Sequence, residues 1–244
     1  MKVAVSSSPF AALLAAGRTT QLEWLERSAS ELAVDGVVFT RAHFPREDDE
    51  YVAQLRKVAV DLGLVPVALD DPALFAADRA DEDRLRTIAL AKGLGTLFVL
   101  AALPPPGDVP PATFVAAVAT AKLLARAAKA ANVTILLSPA PGTIAPAAAD
   151  LRHFLKDVDS AWLRYALGGD DPRTGLGARD RVLLVRLGAG DEAQAADALE
   201  EARPWLLLDE AQAADPYGDL RLRIALLRAA AAKKALAGAS ALRS

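Results

Sequence analysis

Eight short and almost purely apolar segments recur along the chain, and their spacing constrains the fold more than any other feature. Each segment is five to seven residues long, and neighbouring segments begin about 30 residues apart, as in a β/α repeat. Strands buried on both faces of a parallel sheet are continuously apolar, whereas a strand with one wet face alternates apolar and polar residues. We therefore predict eight buried parallel strands, at residues 2–7, 36–40, 65–70, 96–102, 133–138, 162–167, 181–187 and 204–210.

Amphipathic segments with helical periodicity separate the predicted strands. The segment 19–32 carries a leucine stripe, with Thr19 or Thr20 as the predicted N-cap. The segment 48–64 begins with two aspartates, which favour a helix N-terminus, and Gly63 is the predicted residue just past the helix. Further helices are predicted at residues 81–95, 111–132, 147–159, 191–204 and 216–237.

Eight strands that alternate with about eight helices predict an α/β fold, a single (β/α)8 TIM barrel over residues 1–244, with a frayed tail from about residue 238. A doubly wound open sheet is the competing fold. It would show a glycine-rich fingerprint after the first strand, and residues 6–17 contain none. The weakest unit is the sixth, because residues 168–180 leave room for only a short helix or an irregular loop.

Composition and charge restrict the classes of function. The net charge is −3, with both signs spread along the chain, so we expect neither nucleic acid nor a membrane as a partner. The chain has no cysteine, which excludes disulfides and thiolate metal sites, and its two histidines limit imidazole chemistry. The first residues carry too short an apolar run for a signal peptide. We therefore expect a soluble cytoplasmic protein, and the sequence leaves its oligomeric state open.

Two stretches of the sequence resemble a known family of barrels. VDGVVFTRAHFPREDDEYVAQLRKVAVDLGL (34–64) is similar to the second strand and helix of xylose-isomerase-like TIM barrels, the sugar-phosphate isomerase/epimerase group related to endonuclease IV. AKLLARAAKAANVTILL (121–137), followed by PGT and by DLRHFLKDVDSAWLRYAL (150–167), resembles that family's fourth helix through sixth strand. The resemblance implies a metal site built from a glutamate, an aspartate, histidines and a last carboxylate at the ends of strands five to eight.

Laid on that pattern, this sequence departs from the family at most of the metal-binding positions. Ser138 stands in place of the strand-five glutamate, and Gly168 stands in place of the strand-six aspartate. Val185 or Arg186 occupies the position of a histidine on strand seven. Asp209 alone keeps a carboxylate, on strand eight. A divalent cation needs several oxygen or nitrogen ligands that converge on one point, so we expect no metal and no other cofactor.

In a barrel the functional residues come from the C-terminal ends of the strands. His43 is the best candidate for a general base, because imidazole titrates near neutral pH, although it could instead cap backbone groups. Asp209 could supply a carboxylate for proton transfer. Arg186 could bind an anion or form a structural pair with Asp209, since a barrel-lining arginine is costly without a carboxylate. The predicted catalytic residues are thus His43, Asp209 and Arg186, and the predicted ligand-binding residues are Ser6, Arg41, Asp70, Ser138, Tyr165 and Glu210.

Three further features have two interpretations each. Asp70 and Asp71 could be an acid/base pair or ordinary turn residues before a proline. The serine run at residues 6–8 lacks an adjacent His–Asp arrangement, so hydrogen bonds to a ligand or to the backbone are its predicted role. The loop 188–192 combines two glycines with two acidic residues, which would repel a phosphate, so a helix cap is favoured and phosphate is not.

Three functions remain open at this point. The first is an isomerase or epimerase that works without the family's metal on a small sugar or polyol. The second is a catalytically inactive barrel that binds a ligand or a protein partner. The third is a metal-dependent isomerase with migrated ligands, drawn from His43, Asp70, Asp209 and Glu210.

Overall fold

A computed structural model describes residues 1–166, 183–188, 190, 205–211 and 214–241 of the chain. Eight strands form one sheet in the order β6-β5-β4-β3-β2-β1-β8-β7, and every pairing between neighbours is parallel. The predicted α/β fold, a single TIM barrel, is thereby confirmed. The strands are β1 (Lys2–Ser6), β2 (Gly36–Thr40), β3 (Val65–Asp70), β4 (Phe98–Ala101), β5 (Thr134–Leu137), β6 (Leu163–Tyr165), β7 (Leu184–Leu187) and β8 (Trp205–Leu208).

Helices follow most strands and cover the outside of the barrel. The described residues form α1 (Ala11–Ala15), α2 (Gln21–Ser30), α3 (Asp49–Asp61), α4 (Asp81–Leu94), α5 (Pro110–Ala131), α6 (Ala148–Val158) and α7 (Pro216–Ala241). Two 3-10 turns, at Ser8–Phe10 and Arg41–His43, follow β1 and β2 directly. The predicted helix at 191–204 and the sixth unit at 168–180 lie outside the described residues. The last helix continues to Ala241, past its predicted end at residue 237.

The helix boundaries follow the capping chemistry of the sequence. Thr20 caps α2 in a capping box with Glu23, and the Asp48 carboxylate accepts a hydrogen bond from the Tyr51 N–H at the start of α3. Gly63 has a φ of +75° just past α3, as predicted, because this left-handed conformation favours glycine. Local residues therefore fix where these two helices begin and end.

The core has two layers that follow from the alternation of side chains along each strand. One cluster of buried residues fills the inside of the barrel, and a larger one joins the outer strand faces to the helices. The inner cluster consists of Ala4, Val38, Val67, Ala68, Phe98, Leu100, Leu136, Ala166, Leu184, Trp205 and Leu207. The inside of the barrel is therefore a packed apolar core, and a polar ligand can reach it only from an end.

None of the helices in the described part of the chain is long and apolar enough to cross a membrane.

The C-terminal helix offers a matched pair of positions that tests how α7 packs. Leu227 is fully buried, whereas its neighbour Leu226 is 50% exposed. We expect Leu227→Ala to lower the free energy of unfolding by about 2–5 kcal/mol, because it removes core contacts and leaves a cavity. Leu226→Ala should change it by about 0.5 kcal/mol or less. Urea denaturation of both variants measures the difference, and equal losses would contradict this packing of α7.

Candidate functional site

Polar side chains cap the inner apolar layer at the C-terminal end of the barrel. Each of six strands contributes a residue to the inner cluster and, two positions further on and thus on the same face, a polar residue. We call this set the mouth: Ser6, Thr40, Asp70, Ser138, Arg186 and Asp209. Five of the six were predicted site residues, and Thr40 is the addition. The parallel register places Thr40 opposite Asp70 on adjacent strands.

Asp70 is the most perturbed acid of the mouth. Its side chain is buried, with 4% of the residue exposed, and it makes no hydrogen bond to any residue that the structure describes. Burial raises the pKa of Asp70 to about 6; the nearby charge of Arg186 opposes this rise, while those of Asp209 and Asp71 add to it. A carboxyl group with a pKa near neutrality in a barrel mouth is suited to proton transfer.

Arg186 and Asp209 form an ion pair across the mouth. The Arg186 Nε donates to Asp209 Oδ2 at 2.6 Å, between β7 and the end of β8. The predicted pairing of these two residues is confirmed. Burial opposes the charge of Arg186, but the carboxylates of Asp209 and Asp70 outweigh it and raise the Arg186 pKa. The mouth therefore holds one cation between two acidic side chains.

A chain of hydroxyl groups lines the mouth beside Asp70. The Ser6 hydroxyl donates to Ser8 Oγ at 3.0 Å, and Ser8 Oγ lies 2.9 Å from Thr40 Oγ1. The Ser8 N–H also donates to Ser6 Oγ at 3.0 Å. The predicted backbone bonding of the serine run is confirmed. These hydroxyl groups give the rim between β1 and β2 both donors and acceptors.

The same serine run reaches His43 through Ser7. Ser7 Oγ lies 2.9 Å from His43 Nδ1 and accepts a hydrogen bond from the Thr40 N–H at 2.9 Å. Burial lowers the pKa of His43. Sequence reasoning found no histidine beside the serines because 36 residues separate the two partners along the chain. The parallel pairing of β1 with β2 brings them together.

Arg41, a predicted ligand-binding residue, is engaged by protein groups. Its guanidinium donates to Glu47 at 2.7 and 2.9 Å and to Asp83 at 2.6 Å. It also donates to Thr87 Oγ1 at 2.8 Å. These contacts turn Arg41 toward the N-terminal turn of α4 and occupy its guanidinium with protein groups.

Asp71 lies among the polar groups around Arg41 and Thr87 and does not face the mouth. Its carboxylate accepts from Arg79 at 2.8 Å and from the Thr87 hydroxyl at 2.6 Å. The adjacent aspartates thus have different environments, since successive residues of an extended chain point to opposite sides. The two aspartates therefore do not form an acid/base pair. Asp71 fixes the loop after β3, whereas Asp70 faces the mouth.

The remaining predicted residues lie at the edge of the mouth or away from it. Ser138 is half-buried directly after β5. Tyr165 packs on the helix-facing side of β6, where its hydroxyl donates to the Ala148 carbonyl at 3.0 Å. The Glu210 side chain is exposed. His153, the second histidine of the chain, lies in α6 and stacks on Phe114 of α5.

One structural residue of the site was missed. Arg223 in α7 is 5% exposed, and its guanidinium donates to the carbonyls of Leu187, Gly188 and Glu210 at 3.0, 2.6 and 2.6 Å. It ties the C-terminal ends of β7 and β8 together and so supports the Arg186–Asp209 pair. An arginine inside a helix carries no sequence signal for such a role. The acidic part of the 188–192 loop lies outside the described residues.

The side chains of the mouth can be compared with the ligands that a divalent metal, implied by the family resemblance, would need. Among the described residues, no group of three or more His, Asp or Glu side chains converges on one point. Ser138 is neutral, and the Asp209 carboxylate is bound by the Arg186 guanidinium, whose positive charge would repel a divalent cation. Gly168 lies outside the described residues. The described side chains at these positions do not suit a divalent metal.

Comparison with known proteins identifies the fold. No family sequence model and no curated protein matches the chain. Among solved structures, D-psicose 3-epimerase in the presence of D-fructose is 16% identical with a TM-score of 0.74, covering 95% of this chain and 99% of that one. A xylose isomerase domain-containing protein from Salmonella typhimurium LT2 is 12% identical with a TM-score of 0.69, covering 93% and 97%. AP endonuclease, family 2, from Brucella melitensis is 17% identical with a TM-score of 0.70, covering 92% and 96%.

These similarities extend over nearly the whole of each protein. The chain therefore has the xylose isomerase-like TIM-barrel fold that its sequence resembled. At these identities the similarity establishes the fold and not the function, which depends on the side chains of the mouth.

Removing either of the two charged neighbours of Asp70 should shift its pKa, in opposite directions for Arg186 and Asp209. Arg186→Met removes the cation that favours ionised Asp70, so the pKa of Asp70 should rise above about 6. Asp209→Asn removes a negative charge, so the pKa of Asp70 should fall. Carboxyl ¹³C NMR titration measures both shifts. Shifts of the same sign in the two variants would contradict the arrangement.

The pKa of Asp70 also predicts how stability depends on pH. Its folded value of about 6 lies above the ordinary 3.8, so the folded protein binds the extra proton and loses stability as pH rises through this window. The Asp70→Asn variant has no carboxyl group at this position, so its stability does not fall for this reason as pH rises. Relative to the parent protein it should gain about 2.4 kcal/mol in free energy of unfolding between pH 4 and pH 7.5. Urea denaturation at both pH values tests this, with the exposed Asp61→Asn as the control that should show no such gain.

Proposed function

We propose that this xylose isomerase-like barrel binds a small sugar or polyol in its mouth and catalyses an isomerase- or epimerase-type proton transfer without a divalent metal. In such a reaction a base removes a proton from the carbon beside a carbonyl group, and the negative charge moves to the carbonyl oxygen. The proton then returns to the same carbon from the other side or to the neighbouring carbon. The enzyme must therefore supply a base and a positive group for the oxygen.

The observation that carries this proposal is Asp70, a buried carboxyl group without a hydrogen-bond partner among the described residues. Its pKa of about 6 leaves it mostly ionised at neutral pH and ready to accept a proton. A carboxylate kept only for structure would be paired, as Asp71 is with Arg79 and Thr87. Asp70 takes the role of base that the sequence assigned first to His43 or Asp209.

Arg186 is the group proposed to stabilise the oxyanion. Asp209 holds its guanidinium through Nε, and the two terminal nitrogens, which have no hydrogen-bond partner among the described residues, can donate to a ligand oxygen. A fixed guanidinium costs little reorganisation when the negative charge develops. A positive charge supplied by the chain in the mouth supports the metal-free form of the reaction.

The hydroxyl groups of the mouth favour a neutral polyhydroxy ligand. Ser6, Ser8 and Thr40 offer donors and acceptors at one rim, and Ser138 faces the mouth from β5. The carboxylates of Asp70 and Asp209 would repel a phosphate group. The D-fructose in the D-psicose 3-epimerase structure is a ligand of this chemical kind.

Deuterium incorporation tests the proposal directly. Chelator-treated protein is incubated in deuterated water with a panel of ketoses and aldoses, and exchange at the carbon beside the carbonyl is followed by NMR. We expect exchange with at least one sugar, lowered about 100-fold or more in Asp70→Asn. The exposed Asp61→Asn is the matched control and should keep the parent rate.

The other two functions are distinct outcomes of this experiment. Binding of a sugar with no exchange across the panel would identify a catalytically inactive barrel. Exchange that appears only after Mn²⁺, Mg²⁺, Zn²⁺ or Co²⁺ is added would identify a metal enzyme with migrated ligands. Either result overturns the metal-free proposal.

A further inference from the structure

The hydrogen bonds of Ser7 determine which nitrogen of His43 carries a proton. Ser7 is fully buried, and its Oγ already accepts one hydrogen bond, from the Thr40 N–H. The hydroxyl has one proton of its own to donate. Among the described residues, the His43 Nδ1, 2.9 Å away, is the single acceptor for that proton.

The two tautomers of His43 therefore differ in energy. If Nδ1 carried the proton, Ser7 Oγ would accept two hydrogen bonds, and its own O–H would be buried without an acceptor. A buried donor without a partner is costly. If Nδ1 is unprotonated, Ser7 donates to it and every polar atom of the Thr40–Ser7–His43 chain is satisfied. The proton of the neutral ring then resides on Nε2.

We propose that Ser7 is a positioning residue that holds His43 as the neutral Nε2–H tautomer, so that His43 donates a hydrogen bond to an oxygen of the ligand at the rim of the mouth. The role as ligand donor rests on the proposed function, whereas the tautomer does not. Nδ1 and Nε2 lie on opposite edges of the imidazole. The Nδ1 edge contacts buried Ser7, His43 is half-buried, and its Nε2 has no partner among the described residues, so a ligand oxygen can be its acceptor.

The surroundings of His43 favour the neutral ring. The helix α1 packs against the turn Arg41–His43, and its sequence AALLA contains no ionisable group. Within the turn itself, the charged Arg41 is directed to Glu47 and Asp83. No carboxylate among the described residues contacts His43, and burial lowers its pKa. An imidazolium would have to reverse the Ser7 hydrogen bond, which again leaves the Ser7 proton without an acceptor.

This arrangement changes the role of the histidine and limits the ligand. A ring whose Nδ1 accepts from Ser7 offers only a donor on its free edge, so it complements Asp70 as the base and does not duplicate it. The group it meets must be an acceptor, such as a carbonyl or hydroxyl oxygen. An ammonium group at that position would face a donor and be disfavoured.

Nitrogen NMR of the histidines tests the tautomer without any ligand. The chain has two histidines, and His153, whose side chain is 67% exposed, is an internal reference. In protein labelled with ¹⁵N-histidine we expect His43 to show a protonated Nε2 and a bare Nδ1, and its pKa to lie below the ordinary value of 6.5 because of burial. A His43 with its proton on Nδ1 would overturn the proposal.

The Ser7→Ala variant tests the cause. Without the Ser7 donor, the pKa of His43 should rise and the single tautomer should become a mixture. Ser30→Ala, at an exposed serine of α2, is the control and should leave the His43 signals unchanged. An unchanged tautomer and pKa in Ser7→Ala would show that Ser7 does not fix the ring.

Activity distinguishes a donor from a base at position 43. Glutamine places an N–H near the position of Nε2 but cannot accept a proton, whereas leucine does neither. In the deuterium-exchange assay we expect His43→Gln to lose no more than about tenfold and His43→Leu to lose about 100-fold. Equal losses in both would overturn the donor role. If no variant of the protein exchanges deuterium but the NMR tautomer is as stated, the proposed function fails and the Ser7–His43 assignment stands.

Discussion

The alternation of side chains along eight parallel strands is the constraint on which the rest of this structure depends. A parallel sheet curved into a barrel directs every second residue inward, so the inside of the barrel must be filled with apolar side chains to be stable. Where the apolar layer ends, the next inward position on several strands carries a polar side chain inside a narrow rim. Ser6, Thr40, Asp70, Arg186 and Asp209 occupy such positions. The mouth is a geometric consequence of the core beneath it.

Electrostatics inside this rim set the chemistry that it can perform. The charged groups of the rim are partly shielded from water, so they interact strongly. Arg186 is bound by Asp209, and its charge also acts on Asp70. Burial raises the pKa of Asp70, the charge of Arg186 opposes this rise and that of Asp209 adds to it, so the pKa is about 6, close to neutrality. The positive charge comes from the chain itself. A barrel fold is compatible with different chemistries, and in this chain the charged groups of the mouth are a guanidinium and two carboxylates.

The second group of interactions lies around the same strand ends and holds them rigid. Ser7 joins the Thr40 backbone to His43, and Asp71 joins the loop after β3 to α4 through Arg79 and Thr87. Arg223 holds the carbonyls at the ends of β7 and β8. These buried polar groups are bonded to one another, which fixes the strand ends and orients the residues of the mouth.

The sequence by itself determined the barrel, because the apolar period of each strand, the helix caps at Thr20 and Asp48 and the repeat spacing are local properties of the chain. It also indicated most of the mouth and the Arg186–Asp209 pair, since strand ends can be counted and a barrel-lining arginine requires a carboxylate. Only the tertiary structure decided between adjacent or similar residues. Asp70 faces the mouth, whereas Asp71 does not. Arg41 is engaged by Glu47 and Asp83, and Ser7 contacts His43. These outcomes depend on which side of the sheet each residue faces and on partners tens of residues away, and no local pattern in the sequence encodes them.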